Sequence, residues 1–419
     1  MLAALCLAPA APGQAGKLSR VTAAGSKRFS AELVASASGL KPGDPVTKES
    51  IQAGADQLAQ LGPFQNVRYK FQSKAEDVEV EYLVEDAPTV PVSFDNFATI
   101  PDEELHAALK QAMPFYDGTA PEQGAMLEVM TAALQRLIEA KGIKAAVERS
   151  VLSAPDSDGN IQQFKISAPA MKVKSVEFGD AVAAGSPKLS EPVRALINKP
   201  FSRYATRVFL VEQVRPLYEQ RGFLRAHFPE PQARFVGNPN RPLPDEISVF
   251  VPIETGPVFK FTGVAWSGNT ALDAAALNSL VPVPLGEVAD GMKMTGTWER
   301  VKREYNRRGY IDAEVKATPV FDDAKNTVTY RVAVTEGAQF RMGHLVITGL
   351  SVTAERKLIA AWRLPAGDVF DQLYFEEFLD KQAQKRGAFG DYVVNFSNVG
   401  YLLRPDPKHG IVDVLMDFK

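Results

Sequence analysis

The stretch that decides the fold is "NRRGYIDAEV", residues 306–315. A helical pattern runs into two arginines, Gly309 follows, and an alternating strand pattern begins at once. Cations favour the negative carboxyl end of a helix, and glycine supplies the left-handed turn that commonly ends one. The stretch therefore predicts a junction at which a helix passes directly into a strand.

The same junction occurs five times in the chain. Its glycines are Gly62, Gly142, Gly222, Gly309 and Gly387, separated by 80, 80, 87 and 78 residues. A near-constant step over the whole length predicts an internal repeat of about 80 residues. The modules that follow from it span residues 16–87, 88–169, 170–257, 258–338 and 339–419.

The fourth copy shows the order of elements most fully. A strand pattern ends at "SGN", where Gly268 can take a positive φ and Asn269 or Thr270 can cap a short helix. A second helix, "TWERVKREYNRR", reaches the junction, and two alternating strands, "YIDAEVKATPVF" and "TVTYRVAVTEG", close the copy. The sequence predicts an α+β fold of five tandem β-α-α-β-β modules, each with a three-stranded sheet covered on one face by two helices.

Two copies depart from this pattern. The second copy lacks the glycine after its first strand, so its opening turn is not defined by the sequence. The third copy carries the insertion "PEPQARFVGNPNRPLPDE", which is rich in proline and asparagine. We interpret the insertion as a longer hairpin loop, and it accounts for the spacing of 87 residues.

The first 15 residues, "MLAALCLAPAAPGQA", are apolar or small and predict an export signal cleaved after Ala15, although no Lys or Arg precedes them. A frayed tail is the alternative interpretation. The apolar run is shorter than the roughly 20 residues that a bilayer requires, so we expect no membrane span. Cys6 is the only cysteine. Cleavage would therefore leave a chain without thiol, disulfide or cysteine-based metal chemistry.

Charge and motifs exclude several classes of function. A net charge of −3 supplies no general basic field for nucleic acid. Glycine patterns typical of nucleotide binding or serine hydrolases are absent from the sequence. The four histidines, His106, His227, His344 and His409, lie in different modules without metal-ligand spacing. We therefore predict no catalytic residue, no cofactor and no metal site, and an enzyme with a site dispersed between modules is only a third alternative.

What the pattern does offer is sheet edges. A three-stranded sheet leaves unpaired backbone N–H and C=O groups that can accept an extended chain by strand addition. The alternative is that neighbouring modules or charged side chains cover these edges, because the segments between modules ("EDAP", "ISAP", "ETGP", "TEGA") are short.

The chain resembles a tandem array of POTRA (polypeptide-transport-associated) domains, which form the periplasmic arms of BamA- and TamA-type outer-membrane assembly proteins. The resemblance rests on strands ending in "SGN" or "ITG", helices closing in "YNRRGY" or "YEQRGF", and exits such as "VTEG" and "IETG". It covers nearly everything after residue 16, and copies two and five match least well.

The resemblance implies that the second strand of each module is the edge that receives substrate strands. By position these strands are residues 66–71, 144–149, 224–228, 311–316 and 391–396. The candidate edge residues are Val67, Arg68, Tyr69, Arg225, Ala226, His227, Ile311, Asp312, Ala313, Glu314 and Val315.

The function implied is that of a non-enzymatic scaffold in the periplasm, associated with the outer membrane. It would bind unfolded β-barrel outer-membrane proteins or envelope assembly proteins. Assembly-type relatives continue into a barrel, whereas this sequence ends at Lys419, so we expect an arm-only protein, a barrel that has been removed, or a separately encoded β-barrel as a further partner. The alternative is a structural spacer or envelope-organising protein without client binding.

Overall fold

The computed structural model of the chain describes residues 16–74, 77–167, 171–235 and 242–419. The predicted export signal, with Cys6, lies outside the described residues. The described residues up to 213, together with those between 228 and 252, form one compact unit, and residues 214–227 with 253–419 form a second. Five separate sheets occur in the described part of the chain. We call each sheet with its helices a module.

The first unit begins with two modules of four strands each. The elements of the first module are β1 (Gly16–Ala24), α1 (Ala31–Ala37), β2 (Pro45–Val46), α2 (Lys48–Gln60), β3 (Phe64–Lys74) and β4 (Asp77–Asp86). Those of the second are β5 (Val90–Asp95), α3 (Asp102–Ala112), β6 (Thr119–Ala120), α4 (Ala125–Ala140), β7 (Val147–Ser153) and β8 (Asn160–Ile166). The strand orders are β2-β1-β4-β3 and β6-β5-β8-β7.

The third sheet completes the first unit, with the order β10-β11-β9. Its elements are β9 (Lys172–Phe178), α5 (Ala181–Ala184), α6 (Ser190–Leu196), α7 (Arg203–Phe209), β10 (Gln232–Arg234) and β11 (Glu246–Val251). A π-helical turn, Leu210–Val214, follows α7.

The second unit contains α8 (Arg215–Glu219) and two further modules. The fourth module has β12 (Lys260–Ser267), α9 (Ala274–Ser279), α10 (Gly291–Asn306), β13 (Glu314–Asp322) and β14 (Thr327–Thr335). The fifth has β15 (Arg341–Thr348), α11 (Val352–Ala361), α12 (Gln372–Phe378), a π-helical turn Leu379–Gln384, β16 (Val399–Asp406) and β17 (Ile411–Phe418). Their strand orders are β12-β14-β13 and β15-β17-β16.

The five sheets share one topology, and the predicted β-α-α-β-β fold is confirmed. The third main strand lies in the middle, parallel to the first and antiparallel to the second, as in β14 between β12 and β13. Alternate residues of β14, including Val328 and Val332, are buried in one cluster with Leu277, Val301 and Tyr305 of the two helices. Helices therefore cover one face of the sheet, as the alternation in the sequence predicts.

In the first, second, fourth and fifth modules, the turn after the first strand contains a residue with left-handed backbone. Gly268 has φ +75°, as predicted, and a Cβ placed there would lie 2.1 Å from the carbonyl oxygen of Val334. Gly25 and Gly349 stand in the same relation to Val84 and Phe418. In the second module, where glycine is missing, Asn96 takes the position with φ 68°. Asparagine is among the few residues that tolerate this conformation, which explains how the copy keeps its turn.

The cap of the first helix differs from the prediction. Neither Asn269 nor Thr270 is the N-cap of α9, because the Asp273 side chain accepts the hydrogen bond from the backbone N–H of Ala276. The N–H groups of Thr270 and Ala271 donate instead to the carboxylate of Glu336. The "SGN" turn is thus tied to the exit of the third strand rather than to the helix.

We predict that Gly268→Ala destabilises the fourth module by at least about 3 kcal/mol, since left-handed strain costs about 1–2 kcal/mol and the Cβ also displaces a central-strand carbonyl. The matched control is Gly286→Ala. Gly286 has φ +84° but no atom within 4 Å of an added Cβ, so we expect only the strain. Urea unfolding followed by the fluorescence of Trp266 and Trp298, in a Trp362→Phe background, measures both. Equal losses for the two variants would contradict the steric account.

Candidate strand-addition edges and junctions

The outer edge of every first strand is occupied from within the module. In the fourth module the backbone N–H of Phe261 donates to the carbonyl of Glu287 at 2.8 Å, and the N–H of Gly286 donates to the carbonyl of Phe261 at 2.7 Å. The segment just before the second helix makes this bridge in all five copies, as β2 and β6 or as isolated pairs at Pro200, Val288 and Val369. One edge of each sheet is therefore closed by local backbone hydrogen bonds.

The opposite edge is the second strand. β3, β7, β10, β13 and β16 each end the strand order of their sheet. Their outward N–H and C=O groups face away from the central strand, which is the geometry that strand addition requires. The candidate site is this row of backbone groups, and the strands differ in how well they present it.

β3 presents the longest such edge. It has 11 residues, no proline, and a largely exposed surface that includes Phe71 at 44% exposure. The predicted residues Val67, Arg68 and Tyr69 all lie in it. Phe71 pairs with Val80 of β4, which is buried, so its ring lies on the helix-covered side of the sheet at the outer margin.

β13 begins later than predicted, and a proline within it reduces its capacity for strand addition. Ile311, Asp312 and Ala313 precede the strand, and only Glu314 and Val315 belong to it. Ala313 is buried in the core of its own module, and Ile311 packs against the core of the fifth. Pro319 lies within the strand, where it offers no N–H to a partner and is typical of protected edges.

The predicted strand at residues 224–228 is not a strand. Only His227 pairs, in a single bridge to Glu254, and the strand of the third sheet lies at Gln232–Arg234. The Arg225 guanidinium lies 4.3 Å from the ring centre of Phe321 and donates to Asp323 at 2.6 Å. The His227 backbone is thus paired with the linker, and the Arg225 side chain contacts the fourth module. The N–H of Ala226 donates to the carbonyl of Phe223, so this segment does not form the predicted edge strand.

The predicted strands of the second and fifth modules also shift. β7 starts at Val147 rather than at residue 144, and residues 391–396 contain no strand, since β16 starts at Val399. In each case a short irregular connection separates the junction from the strand, and the alternating pattern does not mark where pairing begins.

Four of the five junction glycines have the predicted left-handed backbone. Gly62, Gly142, Gly222 and Gly309 have φ between 75° and 89°. At the fifth junction the prediction is wrong, because Arg386 takes the left-handed position with φ 62°. Glycine is still required there, since a Cβ on Gly387 would lie 2.6 Å from the carbonyl oxygen of Lys381.

The junctions have a second role that the sequence analysis missed. The carbonyl of Gly309 accepts a hydrogen bond from the N–H of Phe340, which opens the fifth module, and a Cβ on Gly309 would meet the Phe340 oxygen at 2.5 Å. The carbonyl of Gly222 receives the N–H of Phe259 in the same way. Two residues beyond each of these glycines, Leu224 and Ile311 pack against the core of the module that follows. The pattern glycine–any residue–apolar residue is readable in the sequence and marks the contact.

The histidines have local partners. The His106 ring is stacked on Tyr116 with centres 5.7 Å apart, His344 contacts Asp413, and His409 contacts Asp406. The hydrogen bond from His409 is the largest of the effects that hold the pKa of the Asp406 carboxyl below its usual range. Across the described ranges, no three His, Cys, Asp or Glu side chains converge as metal ligands. Nor does any helix there have the length and apolarity to span a bilayer.

A comparison with known proteins finds a family model that matches two segments of the chain. The POTRA family model, described as "Surface antigen variable number repeat", matches residues 16–87 and 259–337. These two segments are therefore similar to POTRA domains, and the order of their main strands recurs in all five sheets of the described residues.

Among curated proteins, a "Putative outer membrane protein assembly factor" of Treponema pallidum (strain Nichols) is 21% identical over 283 residues, which cover 65% of this chain. The chain spans about a third, 32%, of the length of that relative. Among solved structures, POTRA domains 3–5 of BamA from Haemophilus influenzae are 19% identical, with a TM-score of 0.45 and coverage of 60% of this chain and 98% of theirs. POTRA domain 4 of the same protein is 25% identical, with a TM-score of 0.18 and coverage of 19% and 93%.

We predict that Gly309→Ala speeds hydrogen exchange of the Phe340 amide at least about tenfold. The added Cβ would push away the carbonyl oxygen of Phe340 and weaken the contact between the modules, and a tenfold change corresponds to about 1.4 kcal/mol in the free energy of local opening. Gly142→Ala is the matched control, since Gly142 has φ +75° but nothing within 4 Å of an added Cβ. Mass-spectrometric exchange on peptides covering the start of β15 measures the effect. Unchanged exchange in an otherwise folded Gly309→Ala chain would show that the contact is not tight.

Proposed function

We propose that this POTRA array is a non-enzymatic periplasmic scaffold in outer-membrane protein assembly that binds extended segments of unfolded outer-membrane proteins. The observation that carries the proposal is the free margin of β3, an 11-residue strand without proline in which eight residues are exposed. Main-chain hydrogen bonds along such a margin tolerate many client sequences, which suits a partner that has not yet folded its own strands.

The similarity to a putative outer membrane protein assembly factor supports this process and the proposed location in the periplasm at the outer membrane. Partners of the same process, such as envelope assembly proteins, would engage the same margin. The five-module division at 16–87, 88–169, 170–257, 258–338 and 339–419 belongs to this proposal, and the two segments matched by the family model support the first and fourth ranges.

A spacer role is the second candidate, and it is favoured for the middle of the array. Pro319 interrupts the donor row of β13, and Arg225 and Ile311 are engaged with a following module. We therefore propose that binding belongs to the β3 margin, with the fourth module holding the array together.

We predict that one of two neighbouring proline variants, Lys70→Pro and Phe71→Pro, abolishes client binding while the module stays folded. Successive N–H groups of a strand point to opposite sides, so one variant removes an outward donor and the other breaks the ladder to β4. Circular dichroism and urea unfolding identify the variant that keeps the ladder. For that variant we expect the dissociation constant of a fluorescent peptide of alternating apolar and polar residues to be at least about tenfold higher than for the native chain.

Alanine variants at the same two positions are the controls, because they keep both backbone donors. A proline variant at Ala317, whose N–H points to the same side as the ring nitrogen of Pro319, should leave binding unchanged. If the folded proline variant in β3 binds the peptide as tightly as the native chain, strand addition at this margin is contradicted and the spacer role is favoured.

A further inference from the structure

Within the first unit, the second module meets α7 through polar groups. Asp95, at the end of β5, is 2% exposed and lies against the amino end of α7. One carboxylate oxygen accepts from the backbone N–H of Arg203 at 2.6 Å, and the other accepts from the hydroxyl of Ser202 at 2.7 Å. A carboxylate is stabilised there by charge-assisted hydrogen bonds and by the positive end of the helix, and here it comes from another module.

Three further side chains of α7 reach across in the same way. Arg203 donates from one terminal nitrogen to both oxygens of Asp102, at 2.9 and 2.7 Å. Arg207 donates to Asp156 in the β7–β8 loop and is held from its own side by Glu230 at 2.5 Å. The Tyr204 hydroxyl donates to the carbonyl of Ser153 at 3.0 Å. We call this set of contacts the polar joint.

The joint between the first and second modules is built differently. Phe64 packs edge to face on Phe115 of the second module at 5.5 Å, and Phe29 packs on the same ring at 5.0 Å. A Cβ on Gly62 would lie 3.1 Å from that of Met126, so the backbones are in close contact. Arg28 adds an ion pair to Asp117, but the rings of Phe64 and Phe115 at the centre are buried.

The sequence records the difference at one position. The residue two positions after the junction glycine is apolar in the first, third and fourth copies: Phe64, Leu224 and Ile311. In the second copy it is Lys144, which is exposed. Gly142 correspondingly has no neighbour within 4 Å of an added Cβ. At this position the second module therefore places an exposed cation where the first, third and fourth place an apolar side chain.

Water reaches the polar joint through an open cleft of about 590 Å³ between the β5 face and α7. Its lining includes Ser93, His106, Asp158 and Glu230, and the paired side chains of Arg207 and Asp156 keep 31% and 33% of their surface exposed. Ion pairs with this exposure contribute at most about 1 kcal/mol each and are screened by salt.

We propose that the polar joint is an electrostatic latch, which holds α7 against the second module at low ionic strength and releases it when salt screens the arginine pairs or when a neutral residue replaces Asp95. The aromatic joint between the first and second modules stays closed under the same conditions, because apolar contact does not weaken with added salt. Opening enlarges the cleft and frees the second-module hairpin, β7 and β8, from α7.

The test measures two distances in the full chain with Cys6 replaced by serine. Spin labels at Lys48→Cys and Ala140→Cys report the aromatic joint, and labels at Ala140→Cys and Lys188→Cys report the polar joint. Raising KCl from 0.1 M to 1 M shortens the Debye length from about 10 Å to about 3 Å. We expect the second distance distribution, and only the second, to broaden and shift to longer values.

Asp95→Asn and Arg203→Gln should produce the same shift at 0.1 M KCl. Arg149→Gln, which removes the ion pair to Glu128 inside the second module, is the matched control and should leave both distances unchanged. Circular dichroism shows which variants fold, and Arg203→Gln lies outside the second-module core in case Asp95→Asn fails to fold. An unchanged second distance in 1 M KCl and in folded Arg203→Gln would overturn the proposal, as would equal broadening of both distances.

Discussion

The arrangement of the modules depends on one recurrent backbone contact, the bridge that the segment before each second helix makes to the outer side of the first strand. In the fourth module this contact consists of the two hydrogen bonds that join Phe261 to Gly286 and Glu287. A three-stranded sheet would otherwise have two open edges, and open edges invite indiscriminate pairing. Because the bridge closes one edge from within the module, each sheet has a single margin at which another chain can add.

What happens to the remaining margin differs along the chain. β3 keeps its full length and backbone donors, whereas proline interrupts β13 and the 224–228 segment pairs with its own linker through His227. The junction glycines place the next module close to the start of the second strand, so Leu224 and Ile311 are used for packing rather than for recognition. One module topology therefore supplies both the proposed binding margin and the packing contacts made by Leu224 and Ile311.

The sequence predicted the fold because the periodicity of Trp298, Val301 and Tyr305 and the alternation of β14 are strong local signals. It misplaced the second strands of the third and fifth modules because pairing starts where tertiary contacts allow, after irregular connections that carry similar residues. The prediction of a left-handed backbone at Gly387 was wrong because glycine is required there by the nearby carbonyl of Lys381 and not by a left-handed turn. The bridge was readable in "LGEV" at 285–288 and "AGDV" at 366–369, but only once its partner strand was known.

The most direct test of a single free margin in each module is residue-resolved hydrogen exchange of the chain without and with a β-strand peptide. The account predicts that the amides of Leu18, Phe261 and Met342, which donate to the bridging segments, are protected in both states. Alternate amides of β3 should exchange rapidly in the free chain and become protected when peptide is bound. Rapid exchange at the bridged amides, or β3 amides that are all protected without peptide, would contradict it.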